Sequence, residues 1–229
     1  MFSLHGYGPS ILEGTILTLQ VSLLSLVLAM CLGMLGALSK LSGSRPLRLV
    51  AQIYTTIIRG IPDLVLMLLI FFGGQVFINQ MGPVFGYEGY IDINPFIAGI
   101  STIGFIFGAY MTETFRGAIL AVNKGQLEAG SAYGMSKFMI FRRITLPQMM
   151  RHALPGFGNN WLVLVKTTAL VSIIGLDDMV RKAGLAAGAT RKPFTFYLVV
   201  AINYLLITTV SIYILKYLER RYSVGVREI

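Results

Sequence analysis

The sequence predicts an all-α polytopic membrane protein with five transmembrane helices, its N-terminus outside and its C-terminus in the cytosol. Of the 229 residues, 55% are hydrophobic, and the mean hydropathy is +0.72, far more apolar than a soluble domain of this length. The apolar residues come in long runs, and basic residues cluster between them. No second domain or internal repeat is visible, so residues 1–229 are predicted to form a single transmembrane domain.

A basic loop separates the first two predicted spans. Residues 14–39 carry no charge and are long enough to cross a bilayer core of about 30 Å. The loop that follows contains the cations Lys40, Arg45 and Arg48. The positive-inside rule therefore assigns this loop to the cytosol. The second span is centred on residues 64–78, with an extension back toward residue 49 and a kink at Pro62.

The third span is predicted over residues 96–122, after an external loop at residues 79–95. The charged residues of this loop are the acids Glu88 and Asp92. An absence of Lys and Arg is expected outside the membrane. Within the third span, Gly104 and Gly108 form a small-xxx-small pattern that permits close helix packing.

Glu113 and Arg116 lie one helical turn apart in the third span. Ionisable residues within a span are costly and usually face the protein interior or a water-filled cavity. Two interpretations remain open at this point. The residues satisfy each other as a pair at helical spacing, or they line a pathway for solute.

The fourth and fifth spans are predicted over residues 161–174 and 194–215. The fourth is interrupted by Lys166-Thr167-Thr168, and a lysine near its middle requires a partner. Between the two spans, a short helix over residues 177–187 is expected to lie at the membrane surface. This external segment contains four cations, against the positive-inside tendency: Arg181, Lys182, Arg191 and Lys192.

Most cations fall in the segments assigned to the cytosol, and this distribution sets the predicted topology. They are Lys40, Arg45, Arg48, Lys124, Lys137, Arg142, Arg143, Arg151, Lys216, Arg220, Arg221 and Arg227. The net charge of +9 could suggest a nucleic-acid partner, but these residues alternate with spans and form no continuous basic surface. They are interpreted as topology markers.

The one sizeable polar segment lies between the third and fourth spans, and we call residues 126–147 the knob. A short helix is predicted up to Tyr133, then a turn at Gly134 and a second helix capped by Ser136. Pro147 is expected to end the unit. The second helix has apolar residues at helical spacing beside basic ones, as in an amphipathic element. By shape alone, the segment is also consistent with a connecting loop whose basic residues only fix topology.

Catalytic chemistry is not indicated. The sequence contains no phosphate-binding Gly-x-x-x-x-Gly-Lys-[Ser/Thr] motif. Cys31 is the only cysteine, which excludes an intrachain disulfide, and His5 and His152 have no ligand partners at suitable spacing. If the chain moves solute with ATP, the ATPase is another polypeptide.

Motifs in the knob and the spans indicate a family. The knob contains Glu128-Ala129-Gly130-Ser131-Ala132-Tyr133-Gly134 and Ile144-Thr145-Leu146-Pro147. These residues resemble the coupling loop, here about residues 123–152, of membrane subunits of ATP-binding-cassette (ABC) importers, although Ala is usual where Gly130 stands. Further blocks resemble polar amino-acid permeases, above all the Q-type subunits of importers for histidine or for lysine, arginine and ornithine. These blocks are Arg59-Gly60-Ile61-Pro62, residues 109–117, residues 124–126, Pro155 with Asn159, and residues 166–172.

The resemblance implies a type I importer core in the bacterial inner membrane. It implies two ATPase subunits that hold ATP and Mg²⁺, a second identical or homologous permease subunit, and an external amino-acid-binding protein. It implies no cofactor on this chain and no nucleic-acid partner. The expected ATPase-coupling residues are Glu128, Ala129, Gly130, Gly134, Arg142, Arg143, Leu146 and Pro147. The translocation candidates are Arg59, Asp63, Thr112, Glu113, Arg116, Asn159, Lys166, Thr167, Thr168 and Ser172.

The implied substrate is a basic amino acid, namely histidine, arginine, lysine, ornithine or a related opine. A zwitterion with a cationic side chain needs acceptors for its ammonium groups and donors for its carboxylate. Glu113 is the candidate acceptor, and Asp63 is a candidate partner for Arg59. The alternative function is a secondary transporter or channel driven by an ion gradient through Glu113 and Lys166.

Overall fold

All regular structure in the described part of the chain is helical. The computed structural model describes residues 4–87 and 89–223, so the predictions that involve Glu88 and Arg227 lie outside the described residues. The helices are α1 (Gly8–Leu41), α2 (Arg45–Gly60), α3 (Asp63–Met81), α4 (Pro95–Leu120), α5 (Lys124–Ala132), α6 (Lys137–Ile140), α7 (Leu146–Thr167), α8 (Met179–Thr190) and α9 (Pro193–Ser223). Short 3₁₀ turns follow α3 and α7.

Four helices in the described ranges are long and apolar enough to cross a membrane. They are α1, α3 with its following 3₁₀ turn, α4 and α9. The chain is therefore a multi-pass membrane protein. The predicted second span is divided into α2 and α3 by the extended residues Ile61 and Pro62, as expected where proline interrupts helical hydrogen bonding.

The predicted start of the fourth span, at residue 161, is wrong. Helix α7 begins at Leu146 and ends at Thr167, with Pro155 in its interior. The glycines near Pro155 permit close packing instead of breaking the helix. A Cβ atom at Gly156 would lie 3.0 Å from Thr114 Cγ2 in α4, and one at Gly158 would lie 3.2 Å from Leu215 Cδ1 in α9. The helix continues because small residues let both neighbours approach its backbone.

The expectation that Pro147 ends the knob is also wrong. Pro147 occupies the first turn of α7, where its missing N–H would have no intrahelical partner in any case. A five-residue π-helical segment, Phe141–Thr145, joins α6 directly to α7. The knob and α7 are therefore one continuous helical path.

The core forms where α1 packs along α4. α7 packs against α4 and α9, and α8 covers the junction of α1 with α9. At Gly33 there is no room for a side chain, since an added Cβ would lie 3.0 Å from the carbonyl carbon of Met111. At Gly108 it would lie 2.9 Å from Leu32 Cβ. At Gly104 it would lie 2.8 Å from Leu28 Cβ. The prediction that Gly104 and Gly108 permit close helix packing is thus confirmed.

Helix α8 corresponds to the predicted surface helix and begins at a buried cap. Asp178 is inaccessible to solvent, and its Oδ1 accepts a hydrogen bond from the Arg181 backbone N–H at 2.9 Å. Its Oδ2 has no hydrogen-bond partner among the described residues. Burial raises the pKa of Asp178 to about 6, although backbone hydrogen bonds from Arg181 and Val180 oppose the shift.

We predict that Asp178 makes the protein less stable as the pH rises. An aspartate with a raised pKa stabilises the fold in its protonated form, fully below about pH 4, and this contribution is lost as the pH rises through about 6. Asp178→Asn keeps the cap and removes the charge. At neutral pH it should increase the free energy of unfolding by about 2 kcal/mol, measured by thermal unfolding in detergent.

Asp177→Asn is the matched control, because the side chain of Asp177 is 64% exposed. It should preserve most of the pH dependence, because the Asp177 charge is the smallest of the causes that shift the pKa of Asp178. An Asp178→Asn protein that still loses stability between acidic and neutral pH would contradict the assignment.

Candidate coupling and translocation sites

The knob is built from two short helices and a left-handed turn. Asn123 caps α5 by accepting a hydrogen bond from the Gly125 N–H. The helix ends in a Schellman motif, in which Met135 N–H donates to Gly130 O and Gly134 N–H donates to Ser131 O, both at 3.0 Å. Gly134 has φ +76°, a conformation that favours glycine. The predicted turn at Gly134 is therefore confirmed.

The predicted cap of the second knob helix is also confirmed. The Ser136 hydroxyl accepts a hydrogen bond from the Met139 N–H at 3.3 Å. The helix packs back onto α5 at Gly130, where an added Cβ would lie 2.8 Å from Ile144 Cδ1. Gly130 is buried in this contact. The small residue at this position lets the two short helices lie against each other.

The outer surface of the knob combines aromatic, acidic and basic side chains. Tyr133 is 86% exposed and Phe138 is 69% exposed. Glu128, Ala129, Arg142 and Arg143 are also exposed. Large apolar side chains on a polar projection of this kind are typical of a surface that binds another protein.

The inner surface of the knob joins the core of the bundle. Leu127, Phe141 and Leu146 pack against the buried cluster of α1, α4 and α7. A hydrogen bond from Gln148 to Gln126 ties the start of α7 to α5. Of the predicted coupling residues, Gly130 and Leu146 therefore hold the knob in place, and Pro147 is exposed at its base.

Glu113 lies in an ion cluster that joins three helices. It accepts hydrogen bonds from Lys40 of α1 and from Arg116 Nε at 2.9 Å. Lys40 also donates to Thr55 Oγ1 of α2 at 2.6 Å. The pairing of Glu113 with Arg116 was one of the two sequence interpretations. Sequence reasoning missed Lys40 as a partner, because it lies 73 positions away at the end of another helix.

Several other translocation candidates satisfy their own helices. The buried Thr112 and Thr168 donate to the carbonyls of Gly108 and Val165, and Ser172 donates to Ala169 O. Thr167 likewise donates to Val163 O. Each hydroxyl donates its proton to a backbone carbonyl of its own helix, so it has no proton left to donate to a solute.

Three translocation candidates have exposed side chains: Arg59, Asn159 and Lys166. Lys166 was expected to be buried and to need a partner, and this is wrong because the last turn of α7 presents it at the surface. The Arg59 guanidinium lies over the Tyr110 ring, 5.6 Å from its centroid, a cation–π distance. Within residues 4–87 and 89–223, Asp63 makes no ion pair with Arg59.

Sequence reasoning did not single out Asn160, which connects α7 to α4. Its Nδ2 donates to Thr114 Oγ1 at 3.0 Å. Asn160 directly follows the exposed Asn159, so the two amides point to different sides of α7. The helical periodicity of α7 could have indicated that Asn160 faces α4. The predicted span began only at residue 161, so this periodicity was not applied to Asn160.

We predict that Glu113→Gln destabilises the protein. The side chain of Lys40 is only 5% exposed, so the substitution leaves a buried ammonium without its counter-charge, at a cost of about 3 kcal/mol. Thermal unfolding measures this loss, and adding Lys40→Met should recover most of it. Glu13→Gln is the control, because Glu13 is 71% exposed in its pair with Lys182 and should contribute at most about 1 kcal/mol.

Substrate-stimulated ATP hydrolysis by the reconstituted complex distinguishes the two interpretations of Glu113. A normal substrate response with reduced thermal stability supports the structural role. A lost response at unchanged stability would instead identify Glu113 as a substrate contact.

Comparisons with known proteins identify the family of the chain. Residues 29–224 match the family "Binding-protein-dependent transport system inner membrane component". The chain is 53% identical to the histidine/lysine/arginine/ornithine transport permease HisQ of Escherichia coli over 98% of both chains. It is 44% identical to the octopine transport permease OccQ of Rhizobium meliloti, covering 99% of this chain and 95% of OccQ.

A solved amino-acid ABC transporter with histidines has a chain of the same fold. The two chains are 35% identical, with a TM-score of 0.81, and the match covers 96% of this chain and 98% of the other. Members of the family are transport subunits and not enzymes. The chain belongs to the binding-protein-dependent inner-membrane components, the permease subunits of ABC transporters.

Proposed function

We propose that this chain is the permease subunit of an ATP-driven importer for basic amino acids or opines in the bacterial inner membrane. Its relatives are named for the transport of histidine, lysine, arginine and ornithine, and of octopine. The observation that carries the coupling mechanism is the knob, which is anchored to the core on one side and presents exposed aromatic residues on the other.

The proposed topology has five spans, with the N-terminus outside and the C-terminus in the cytosol. Helix α7 is the fourth span in chain order and completes the five, since it packs between α4 and α9 and its polar residues are partly used within the bundle. The Lys40–Glu113 pair connects the end of α1 with the second half of α4, and the knob follows α4 directly. The cations of these segments therefore lie at one end of the bundle, which the positive-inside rule assigns to the cytosol.

The proposed partners are two ATPase subunits, a second permease subunit and an external amino-acid-binding protein. ATP and Mg²⁺ bind to the ATPase subunits. ATP binding draws the ATPases together, the bound knobs follow, and the helices alternate between inward-open and outward-open arrangements. A rigid connection is needed for this step, and the continuous helical path from α6 to α7 supplies one.

The exposed side chains of Arg59, Asn159 and Lys166 are the proposed solute contacts of this chain. Arg59 and Lys166 suit the carboxylate common to all amino acids. Asn159 offers both a donor and an acceptor to the polar groups of the solute. Since Glu113 is engaged by Lys40 and Arg116, the ion relay required by a secondary transporter through Glu113 and Lys166 has little support.

We predict that Glu128→Lys abolishes coupled transport and leaves the protein in the membrane. Glu128 is exposed on α5, so reversing its charge alters the proposed ATPase-binding surface without disturbing the core. Uptake of labelled arginine into proteoliposomes that contain the complete complex and ATP measures the effect. We expect a fall of at least about tenfold, the change produced by about 1.4 kcal/mol of lost interaction free energy.

Glu219→Lys is the matched control, with the same change of charge on α9, outside the knob. It should retain uptake. Unchanged uptake coupled to hydrolysis in the Glu128→Lys complex would refute the role of this surface.

A further inference from the structure

An apolar cavity of about 330 Å³ opens between α1, α4, α7 and α9. Its floor consists of four buried residues: Phe115, Met149, Ala153 and Leu154. The volume lies at the lower end of the range of about 300–1,000 Å³ for small-molecule sites. A water molecule in this cavity would find no hydrogen-bond partners in the apolar lining. The cavity is therefore suited to an apolar occupant.

The rim of the cavity is partly exposed and equally apolar. It is formed by Met30, Met34, Met150, Phe157 and Leu218. Methionine side chains are flexible and polarisable, so they adapt to occupants of irregular shape. Three of the four helices around the opening, α1, α4 and α9, have the length and hydropathy of membrane spans.

Cationic residues lie one helical turn from residues that line the cavity. Arg151 lies three residues before Leu154 on α7, and it is partly exposed. Arg221 is exposed and lies one turn after Leu218, on the same side of α9. Glu219, the acid nearby, is one residue from Leu218 and therefore about 100° around the helix. The edge of the cavity thus favours an anionic group.

We propose that this cavity binds one acyl chain of an anionic phospholipid, whose phosphate lies near Arg151 and Arg221. The apolar lining accounts for the chain, and the two arginines account for the headgroup. A side chain of a partner subunit is the competing occupant, but it would not require cations at the edge. The acyl chain would fill the gap between α7 and α9, and α7 is the helix that continues from the knob.

Photo-crosslinking tests this proposal in the complete transport complex. The complex is placed in phosphatidylcholine nanodiscs with a trace of phosphatidylglycerol that has a diazirine at the end of one acyl chain. We expect labelled peptides that contain Met30 and Phe157, the lining residues of α1 and α7 that lie farthest from the proposed headgroup. Ala153→Phe and Leu218→Trp each fill part of the cavity, and excluding two methylene groups of the chain should lower labelling about tenfold.

Leu206→Trp is the matched control, since Leu206 is exposed on α9 and does not line the cavity. It should leave labelling unchanged. Labelling is compared only among variants whose thermal stability equals that of the unaltered complex. The two cavity variants lie on different helices, so the test still stands if one of them misfolds. Arg151→Gln with Arg221→Gln should reduce labelling by the phosphatidylglycerol probe to the level of a diazirine-tailed phosphatidylcholine probe.

Three results would overturn the proposal. The first is equal labelling of the unaltered complex by the phosphatidylcholine and phosphatidylglycerol probes. The second is labelling that the two cavity-filling substitutions do not change. The third is cross-linking of a cavity residue to a partner subunit's peptide in place of the lipid.

Discussion

The packing of α1 along α4 is the constraint on which the rest of the structure depends. The two backbones meet closely at Gly33 and Gly108, which excludes sliding of one helix past the other without a change in many contacts. At one end the contact is reinforced by charge, since Lys40 and Arg116 both bind Glu113. Helix α2 joins the same cluster through Thr55, so three helices are held together at the end that leads into the knob.

In the proposed function, this arrangement lets a small surface element act on distant spans. The knob is attached at two points, to α4 through the short turn before α5 and to α7 through an uninterrupted helical path. Its inner side chains pack against the core. Force applied at Tyr133 or Phe138 would therefore reach α4 and α7 together and not be absorbed by a flexible loop. Helix α3 packs sparingly against the other helices and leaves most of its apolar surface uncovered in the described part of the chain.

Local features were predictable from the sequence, whereas contacts between distant residues were not. Gly134 and Ser136 act within a few residues of their own positions, so turn and capping preferences were sufficient to place them. Lys40 follows an apolar run and has the pattern of a topology marker, and only the approach of α1 to α4 makes it a partner of Glu113. Pro147 was misinterpreted because the effect of a proline depends on its position in a helix. The helix that contains Pro155 was started too late because the packing of the neighbouring glycines is not visible in the sequence.

The central claim is that the knob is the contact through which an ATPase drives the permease. Cross-linking in the purified complex tests it most directly, with Cys31→Ser as the background and Tyr133→Cys on the knob. A reagent that attaches to this cysteine through a reducible disulfide and carries a photoreactive group joins it to the nearest residue of a partner on illumination. Tyr90→Cys is the reference, because Tyr90 is 73% exposed in the loop before α4. The account predicts a reducible cross-link from position 133 to the ATPase subunit and none from position 90. A cross-link from position 90, or an ATPase that copurifies without touching position 133, would contradict it.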